Sequence, residues 1–241
     1  MIWDSATGNR NATLIGHDGF VRSACFSHAE KLILSASFDE TAKIWDIATG
    51  SCIQTLYGHR SDLEYAVFAT DDSVVLTACN DYTAKIWDRL TGECKQTLQA
   101  EEYLTCARFS GDDSLVLTTG DNAAKLWDTR TGECKLSIAF DAIPQISPQL
   151  LTATFSPNEQ SILTCTCEEV QIWDSRTGEC KLTLSGHTDS PRSAVYSADG
   201  SSVLTASNDR TAKIWDSATG ECVQTLSGHS DDVLIAFYFL D

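Results

Sequence analysis

The sequence predicts an all-β protein built from a repeated unit of about forty residues. Short runs rich in Val, Ile, Leu and aromatic residues alternate with Gly, Asp, Asn and Ser, and no segment shows helical periodicity. Trp-Asp pairs recur at intervals of 42, 42, 40, 46 and 42 residues: Trp3-Asp4, Trp45-Asp46, Trp87-Asp88, Trp127-Asp128, Trp173-Asp174 and Trp215-Asp216. Such a period, closed by Trp-Asp, is typical of a β-propeller of four-stranded antiparallel blades.

The first complete repeat shows how each blade is expected to form. Strands are predicted at residues 21–27, 32–37, 41–46 and 51–56, separated by turns rich in Asp, Gly and Thr. Short strands joined by such turns suit an antiparallel meander. The second and fifth repeats follow the same pattern.

The Trp-Asp pairs predict about six blades, with the closing blade one strand short. Its third and fourth strands are expected at Met1 to Asp4 and Ala12 to Ile15, and its first strand at Val233 to Leu240. No second strand is available. Residues 1–241 are therefore expected to form a single domain, either a ring with a weak closing blade or a fragment of a longer propeller.

Two repeats depart from the pattern. In the third, Gln99-Ala100 stands where the regular repeats have Gly-His. In the fourth, residues 139–150 form a longer segment that contains Pro144 and Pro148. Inserted loops on a regular scaffold often carry function, so these segments are predicted to add protein-binding surface. Decay of the repeat is the alternative.

The charge of the chain restricts its partners. The formal net charge is −17 at pH 7, which disfavours binding to the phosphates of nucleic acids and to anionic membrane surfaces. An acidic surface suits basic protein partners, although solubility alone also accounts for it. We expect other proteins or peptides as partners.

The ten cysteines do not indicate a disulfide framework. Five follow Thr-Gly-Ser or Thr-Gly-Glu at one phase of the repeat, too far apart to pair: Cys52, Cys94, Cys134, Cys180 and Cys222. They are interpreted as small hydrophobic strand residues in a reducing compartment, the cytoplasm or the nucleus. Cys165 and Cys167 have no second Cys or His pair at a zinc-like spacing, so no metal site is predicted.

The Gly-His, Asp and Trp-Asp residues, at their spacing, resemble the WD-repeat β-propeller family over essentially the whole chain. The resemblance implies a buried hydrogen-bond network of His, Ser or Thr, Asp and Trp in each regular blade. These sets are His17, Ser35, Asp39 and Trp45; His59, Thr77, Asp81 and Trp87; and His187, Thr205, Asp209 and Trp215. The third repeat keeps only Thr118, Asp121 and Trp127, and the fourth only Thr164 and Trp173.

These residue types also occur in nucleophilic triads. The set recurs three times at a structural phase of the repeat, and a catalytic site is not normally triplicated. We therefore predict a structural network, no enzymatic activity and no cofactor.

The resemblance further implies a rigid surface that is presented to proteins or peptides. In the family, the turns before the first strand and after the second lie on one face. The candidate partner-binding residues are Phe20, Arg22, Phe38, Asp62, Glu64, Tyr103, Pro144, Pro148 and Arg192. Phe20, Phe38 and Arg22 are the most typical of a binding hot spot, because aromatic residues and arginine dominate such spots. Packing of the two phenylalanines at the blade rim is the alternative.

A non-catalytic interaction scaffold is the favoured function. Two alternatives remain open. The Thr-Gly-Glu-Cys repeats also look like the regulatory arrays of larger nucleotide-binding, incompatibility-type signalling proteins, and like ciliary dynein-assembly propellers. The chain is expected to be monomeric unless an open strand edge pairs.

Overall fold

A computed structural model describes residues 1–140 and 150–238 of the chain. These residues form 22 β-strands and no helix, arranged in six sheets whose neighbouring strands are consecutive in sequence. Across the same ranges there is therefore no helix with the length and hydropathy needed to span a lipid bilayer.

The strands are numbered in chain order. Sheet 1 has two strands, β1 (Ile2–Trp3) and β2 (Arg10–Ala12). Sheet 2 has β3 (Val21–Phe26), β4 (Leu32–Ser37), β5 (Ala42–Asp46) and β6 (Cys52–Leu56). Sheet 3 has β7 (Leu63–Phe68), β8 (Val74–Cys79), β9 (Thr83–Asp88) and β10 (Cys94–Gln99).

The remaining three sheets repeat this order. Sheet 4 has β11 (Leu104–Phe109), β12 (Leu115–Gly120), β13 (Ala123–Asp128) and β14 (Cys134–Ala139). Sheet 5 has β15 (Leu150–Phe155), β16 (Ser161–Thr166), β17 (Val170–Asp174) and β18 (Cys180–Thr183). Sheet 6 has β19 (Pro191–Tyr196), β20 (Ser202–Ser207), β21 (Ala212–Asp216) and β22 (Cys222–Leu226).

The chain divides into two compact units. Unit 1 contains Met1–Thr118 and Trp127–Glu133, and unit 2 contains Thr119–Leu126 and Cys134–Asp241. Sheets 1 to 3 belong to unit 1, sheets 5 and 6 belong to unit 2, and the boundary runs through the strands of sheet 4. Each unit is described by itself below.

The second strand is the most buried element of every four-stranded sheet. In β4, β8, β12, β16 and β20 the first residue is half-buried and the next five are fully buried. The fourth strands are largely exposed, and all five residues of β22 are exposed. Burial on both faces explains why the second strands contain only aliphatic and small residues with Ser, Thr, Cys and Gly.

In unit 1, one face of sheet 2 packs against the opposite face of sheet 3. Leu34 and Ile44 of sheet 2 share a buried cluster with Leu63, Phe68 and Trp87 of sheet 3. In unit 2, sheets 5 and 6 form the corresponding cluster, which includes Leu163, Ile172, Val203 and Trp215.

The predicted fold class is confirmed, because the described residues form an all-β fold of antiparallel meanders, and their six sheets match the number of Trp-Asp pairs. The prediction that the closing blade is one strand short is wrong. The last sheet of the chain, β19 to β22, has four strands, and sheet 1 has only two.

The C-terminal part of that prediction fails for lack of a hydrogen-bonding neighbour. The described part of the predicted strand, residues 233–238, is not in a β-ladder. It is held by two hydrogen bonds, from Val233 N to Ser207 O (3.0 Å) and from Ala236 N to Ser193 Oγ (3.2 Å). At the N-terminus, β2 spans Arg10–Ala12 rather than Ala12 to Ile15, because Arg10 pairs with Trp3.

Phe26 and Phe68 occupy the same position on β3 and β7 but differ in burial, with exposed fractions of 58% and 3%. We expect Phe68→Ala to lower the free energy of unfolding by about 3–5 kcal/mol, because it leaves a cavity in the core of unit 1. Phe26→Ala should cost less than about 1 kcal/mol. Urea unfolding of both variants measures the difference, and equal losses would contradict the packing described.

Candidate functional site

Three hydrogen-bond networks connect the second and third strands of sheets 2, 3 and 6. In sheet 2, His17 Nδ1 lies 2.7 Å from Asp39 Oδ2, and His17 Nε2 lies 2.7 Å from Ser35 Oγ. The indole Nε1–H of Trp45 donates to the same Ser35 oxygen at 2.8 Å. Thr41 Oγ1 donates to Asp39 Oδ1 at 2.6 Å. One carboxylate and one hydroxyl thus hold three side chains in place, those of His17, Thr41 and Trp45.

Sheets 3 and 6 repeat this geometry. His59 lies 3.0 Å from Asp81 and 2.7 Å from Thr77, and Trp87 donates to Thr77 at 2.9 Å. The corresponding distances for His187, Asp209, Thr205 and Trp215 in sheet 6 are 2.7, 2.7 and 2.8 Å. In each of the three sheets, the structure therefore brings together the four residues of the predicted set.

The partners of each histidine define its tautomer. A carboxylate accepts, so Nδ1 carries the proton, and Nε2 then accepts from the hydroxyl in the neutral ring. The glycine before each histidine is required by the backbone. Gly16 has φ +154°, and a Cβ there would stand 3.2 Å from Cη2 of Trp45.

The aspartates of these networks are held ionised. Partial burial acts to raise the pKa of Asp39, but the hydrogen bonds from Thr41 and His17 outweigh it and lower that pKa to about 2. In the same way, hydrogen bonds from the histidine and threonine partners lower the pKa of Asp81 and of Asp209 against the opposing effect of burial.

The hydroxyl groups of the networks are poorly placed for nucleophilic chemistry. Ser35 has an exposed fraction of 4%, and Thr77 and Thr205 have 0%. Each hydroxyl already accepts from an indole and lies against an imidazole. This arrangement joins strands; it does not offer a nucleophile to a substrate.

Sheets 4 and 5 also have the Trp–hydroxyl contact. Trp127 Nε1–H donates to Thr118 Oγ1, and Trp173 Nε1–H donates to Thr164 Oγ1, both at 2.8 Å. In sheet 5 the ring of Phe140 lies edge-on to Trp173 at 6.0 Å. His17 lies edge-on to Trp45 in the same manner at 5.9 Å. The sequence analysis missed Phe140, because the irregular segment places it five residues further from its tryptophan than the histidines are from theirs.

One cluster in unit 1 has metal-ligating side chains. The ligand atoms of His59, Cys79 and Asp81 lie within 4.8 Å of one another. Both ring nitrogens of His59 are already hydrogen-bonded, and burial raises the pKa of the Cys79 thiol to about 12. These groups serve the sheet 3 network. The thiols considered in sheet 5 differ in burial: Cys165 is buried and Cys167 is half-buried.

The five cysteines of the repeat lie in strands, as predicted. All ten cysteines of the chain are free, but Cys52, Cys94, Cys134, Cys180 and Cys222 are exposed rather than buried. Each begins the fourth strand of its sheet. That strand has a neighbour on one side only, so its outer residues stay accessible.

The candidate partner-binding residues of unit 1 lie at one end of the sheets. Val21 pairs with Ser37, so Phe20 and Phe38 lie side by side at the end of sheet 2. Their rings meet edge-to-face at 6.4 Å, and Phe20 has an exposed fraction of 81%. The packing alternative is thus partly correct for Phe38, which is half-buried, while most of the Phe20 ring faces solvent.

Polar contacts link this end of sheet 2 to sheet 3. Arg22 Nε donates to Glu64 Oε2 at 2.8 Å, and Asn80 Nδ2 donates to Glu64 Oε1 at 3.0 Å. The backbone N–H of Asn80 donates to the carbonyl of Asp62, as Phe38 does to Phe20. Arg22 is therefore not a free cation, because Glu64 neutralises it.

A second aromatic pair continues the surface. The rings of Tyr82 and Tyr103 stack at 4.9 Å with an interplanar angle of 26°, and both are partly exposed. Tyr82 has φ +66° in the turn after Asp81, a backbone conformation that bulky residues seldom adopt. The sequence analysis chose Tyr103 but missed Tyr82. The sequence did contain a signal for Tyr82. A tyrosine follows the network aspartate there, whereas the other regular sheets have Glu40 and Arg210 at that position.

We call Phe20, Arg22, Phe38, Asp62, Glu64, Tyr82 and Tyr103 the binding face. Arg192 belongs to unit 2, where it is half-buried at the start of β19. Pro144 and Pro148 lie outside the described residues.

Comparison with known proteins identifies the repeats. The family described as WD domain, G-beta repeat, matches residues 8–46, 50–88, 92–128 and 178–216, which is more than half of the chain. A search of curated proteins gave no match.

Thr77 tests the importance of the shared hydroxyl. Thr77→Val removes the hydroxyl that both Trp87 Nε1–H and His59 Nε2 contact, and should lower the free energy of unfolding by about 2–4 kcal/mol. Thr77→Ser restores the oxygen, as in Ser35 of sheet 2, and should cost less than about 1 kcal/mol. Urea unfolding compares the two variants. Equal losses would show that the methyl group, not the hydrogen bond, matters.

The lowered aspartate pKa values predict a loss of stability in acid. The pKa of Asp39 falls from 3.8 to about 2 on folding, so its contribution is complete above the unfolded value and is lost as the pH falls through the folded one. Urea midpoints should therefore decrease between about pH 5 and about pH 2. Asp39→Asn should flatten this decrease, while Asp231→Asn, at an exposed position, should not. An unchanged slope in Asp39→Asn would refute the assignment.

Proposed function

Because the chain belongs to the WD40 repeat family, whose domains generally mediate protein–protein interactions, we propose that it is a non-catalytic scaffold that binds protein segments through the binding face of unit 1. The observation that supports this choice of surface is the exposure of Phe20. A large aromatic ring that is 81% exposed beside a second aromatic ring offers apolar area that a partner can cover.

Contacts between side chains restrict several residues of the binding face before a partner arrives. The Arg22–Glu64–Asn80 contacts and the Tyr82–Tyr103 stack fix side chains of three consecutive sheets. Rotamer freedom that is already restricted is not lost again on binding, which favours affinity. The exposed ion pair itself adds little to stability, so we assign it to positioning of the surface.

The charge of the chain suggests the chemistry of the partner. The net charge is −17, and the only arginine of the binding face is paired with Glu64. Asp62 and the nearby exposed Glu40 add negative charge at this end of the sheets. The segment that fits is therefore one that carries a bulky apolar residue next to lysine or arginine.

Peptide selection against the full chain tests this proposal. Peptides selected from a random display library should share a bulky apolar residue and neighbouring basic residues, and their binding should weaken as salt rises. Phe20→Ala and Tyr103→Ala should each weaken binding of the selected peptides about tenfold or more, as measured by fluorescence anisotropy. Ile53→Ala on β6, half-exposed, is the matched control and should bind normally.

The proposal fails when the selected peptides bind Phe20→Ala and Tyr103→Ala as tightly as the unaltered chain. Peptides that lack basic residues would overturn the assigned partner chemistry while leaving the surface itself in place.

A further inference from the structure

The turn between the first and second strands links neighbouring sheets in unit 1. Asp72, in this turn of sheet 3, accepts from the backbone N–H groups of His28 and Ala29 in the same turn of sheet 2, at 2.9 and 3.0 Å. Asp113 of sheet 4 accepts from the backbone N–H of Thr70 in sheet 3 at 3.0 Å. A carboxylate therefore joins each of these sheets to the one before it.

Sheets 5 and 6 of unit 2 have neither half of this link. Gly200 stands at the position of Asp72 and Asp113, so there is no carboxylate. Pro157 stands at the position of Thr70 and has no N–H to donate. A Cβ at Gly200 would lie 3.2 Å from Cδ of Pro157. The two turns therefore lie close together, but no side chain bridges them as the aspartates do in unit 1.

A cavity of about 430 Å³ lies beside these two turns, between sheets 5 and 6. Ile172 and Leu182 of sheet 5 form an apolar side, and Gln160 and Asp199 bring polar groups from the two turns. Gly200 also lines the cavity. Its volume is usual for a ligand pocket, which measures roughly 300–1,000 Å³. The missing acidic side chain is thus accompanied by a space that a ligand can enter.

Tyr196 adds a hydroxyl to this cavity at a position that is otherwise phenylalanine. It ends the first strand of sheet 6, and the first strands of the other four-stranded sheets end in Phe26, Phe68, Phe109 and Phe155. Burial raises the pKa of Tyr196 to about 12, so its hydroxyl is protonated at neutral pH. This hydroxyl forms no hydrogen bond with a residue that the structure describes. It is therefore available to a ligand.

The uncompensated charge at the cavity is negative. The Lys181 ammonium lies 3.0 Å from the Asp174 carboxylate and donates to two further oxygens of sheet 5 at 3.2 Å, so all three of its protons are used. Hydrogen bonds from Ser197 and Ser201 lower the pKa of Asp199 to about 2, so its carboxylate is ionised. Among the described residues, no cation forms an ion pair with Asp199. A cationic ligand suits this cavity better than an anionic one.

We propose that this cavity binds a guanidinium group on an aliphatic stem, as in an arginine side chain. The guanidinium has five N–H donors in one plane, which suit acceptors on both sheets: the Asp199 carboxylate, the Tyr196 hydroxyl and the side-chain carbonyl of Gln160. The stem lies against the apolar side formed by Ile172 and Leu182. A lysine ammonium is more strongly hydrated, so it loses more on leaving water. The site belongs to unit 2 and is separate from the binding face.

Acetyl-arginine amide is the probe, because it carries a guanidinium group and no other charge. Titrated into the isotope-labelled full chain, it should shift the backbone amide resonances of Tyr196, Asp199 and Gly200 in nuclear magnetic resonance spectra. Acetyl-citrulline amide has the same shape without the charge and should bind at least about tenfold more weakly, because it loses the charge-assisted hydrogen bond. Acetyl-glutamate amide has the opposite charge and should leave these resonances unchanged.

A longer probe separates two sources of the guanidinium group, a protein segment and a free small molecule. In the tripeptide acetyl-Gly-Arg-Gly amide the backbone continues on both sides of the arginine. Binding equal to or tighter than that of the single residue shows that the cavity accepts an arginine within a protein segment. Loss of binding by the tripeptide alone shows that the cavity accepts a free guanidino compound. Both results support the guanidinium site.

Variants of the chain identify where the probe binds. Asp199→Asn keeps an oxygen for the Ser201 N–H but removes the charge, and should weaken binding at least about tenfold. Tyr196→Phe restores the residue of the other first strands and should weaken binding about threefold to tenfold, as one hydrogen bond is lost. Asp112→Asn changes the same turn position in sheet 4, where Asp113 keeps the link to sheet 3, and is the matched control that should bind normally. Urea midpoints verify that the variants are folded.

Four outcomes would overturn the proposal. The first is an arginine probe that shifts no resonance of the cavity at any concentration. The second is a citrulline probe that binds as tightly as the arginine probe, and the third is binding that Asp199→Asn does not weaken. The fourth is preferential binding of acetyl-glutamate amide, which would show that Lys181 rather than Asp199 determines the charge of the ligand.

Discussion

The bond from a tryptophan indole to a Ser or Thr hydroxyl is the contact on which each four-stranded sheet depends. It joins the third strand to the second in all five of these sheets, at 2.8–2.9 Å. In three sheets the same hydroxyl also meets a histidine, which ties the segment that enters the sheet to its centre. A buried hydroxyl is tolerated at that position because both of its hydrogen-bonding directions are used. The surrounding residues are aliphatic and small because the second strand is covered on both faces.

Much of this arrangement was accessible from the sequence, because the repeat carries the same residue types at the same spacing. The second strand of the first complete repeat was predicted to the residue, at Leu32–Ser37, and all twelve network residues meet as grouped. Contacts made by irregular segments were not accessible. Phe140 reaches Trp173 from a segment of altered length, and the Tyr82–Tyr103 stack joins two sheets. Neither pair of residues recurs at a fixed spacing along the sequence. The exposure of the repeat cysteines was also missed, since a strand residue is buried only when a neighbour covers it.

The need for a neighbouring strand also explains why the strand predicted at the C-terminal end was wrong. Residues 233–238 have the composition of a strand, with Val, Ile and aromatic residues, but composition does not supply a partner for their backbone groups. At the binding face, complete sheets present side chains from their turns.

The meander order of the sheets bears on how the chain is made. Every described strand pairs only with strands next to it in sequence, so the backbone hydrogen bonds between the strands of a sheet join residues within one repeat. Loop closure between such neighbours is entropically cheap. As the polypeptide leaves the ribosome, strand pairing in one sheet can proceed before the next repeat has been synthesised. Leu34 and its equivalents become buried only after the following repeat has formed its sheet, because the face of that second sheet covers them.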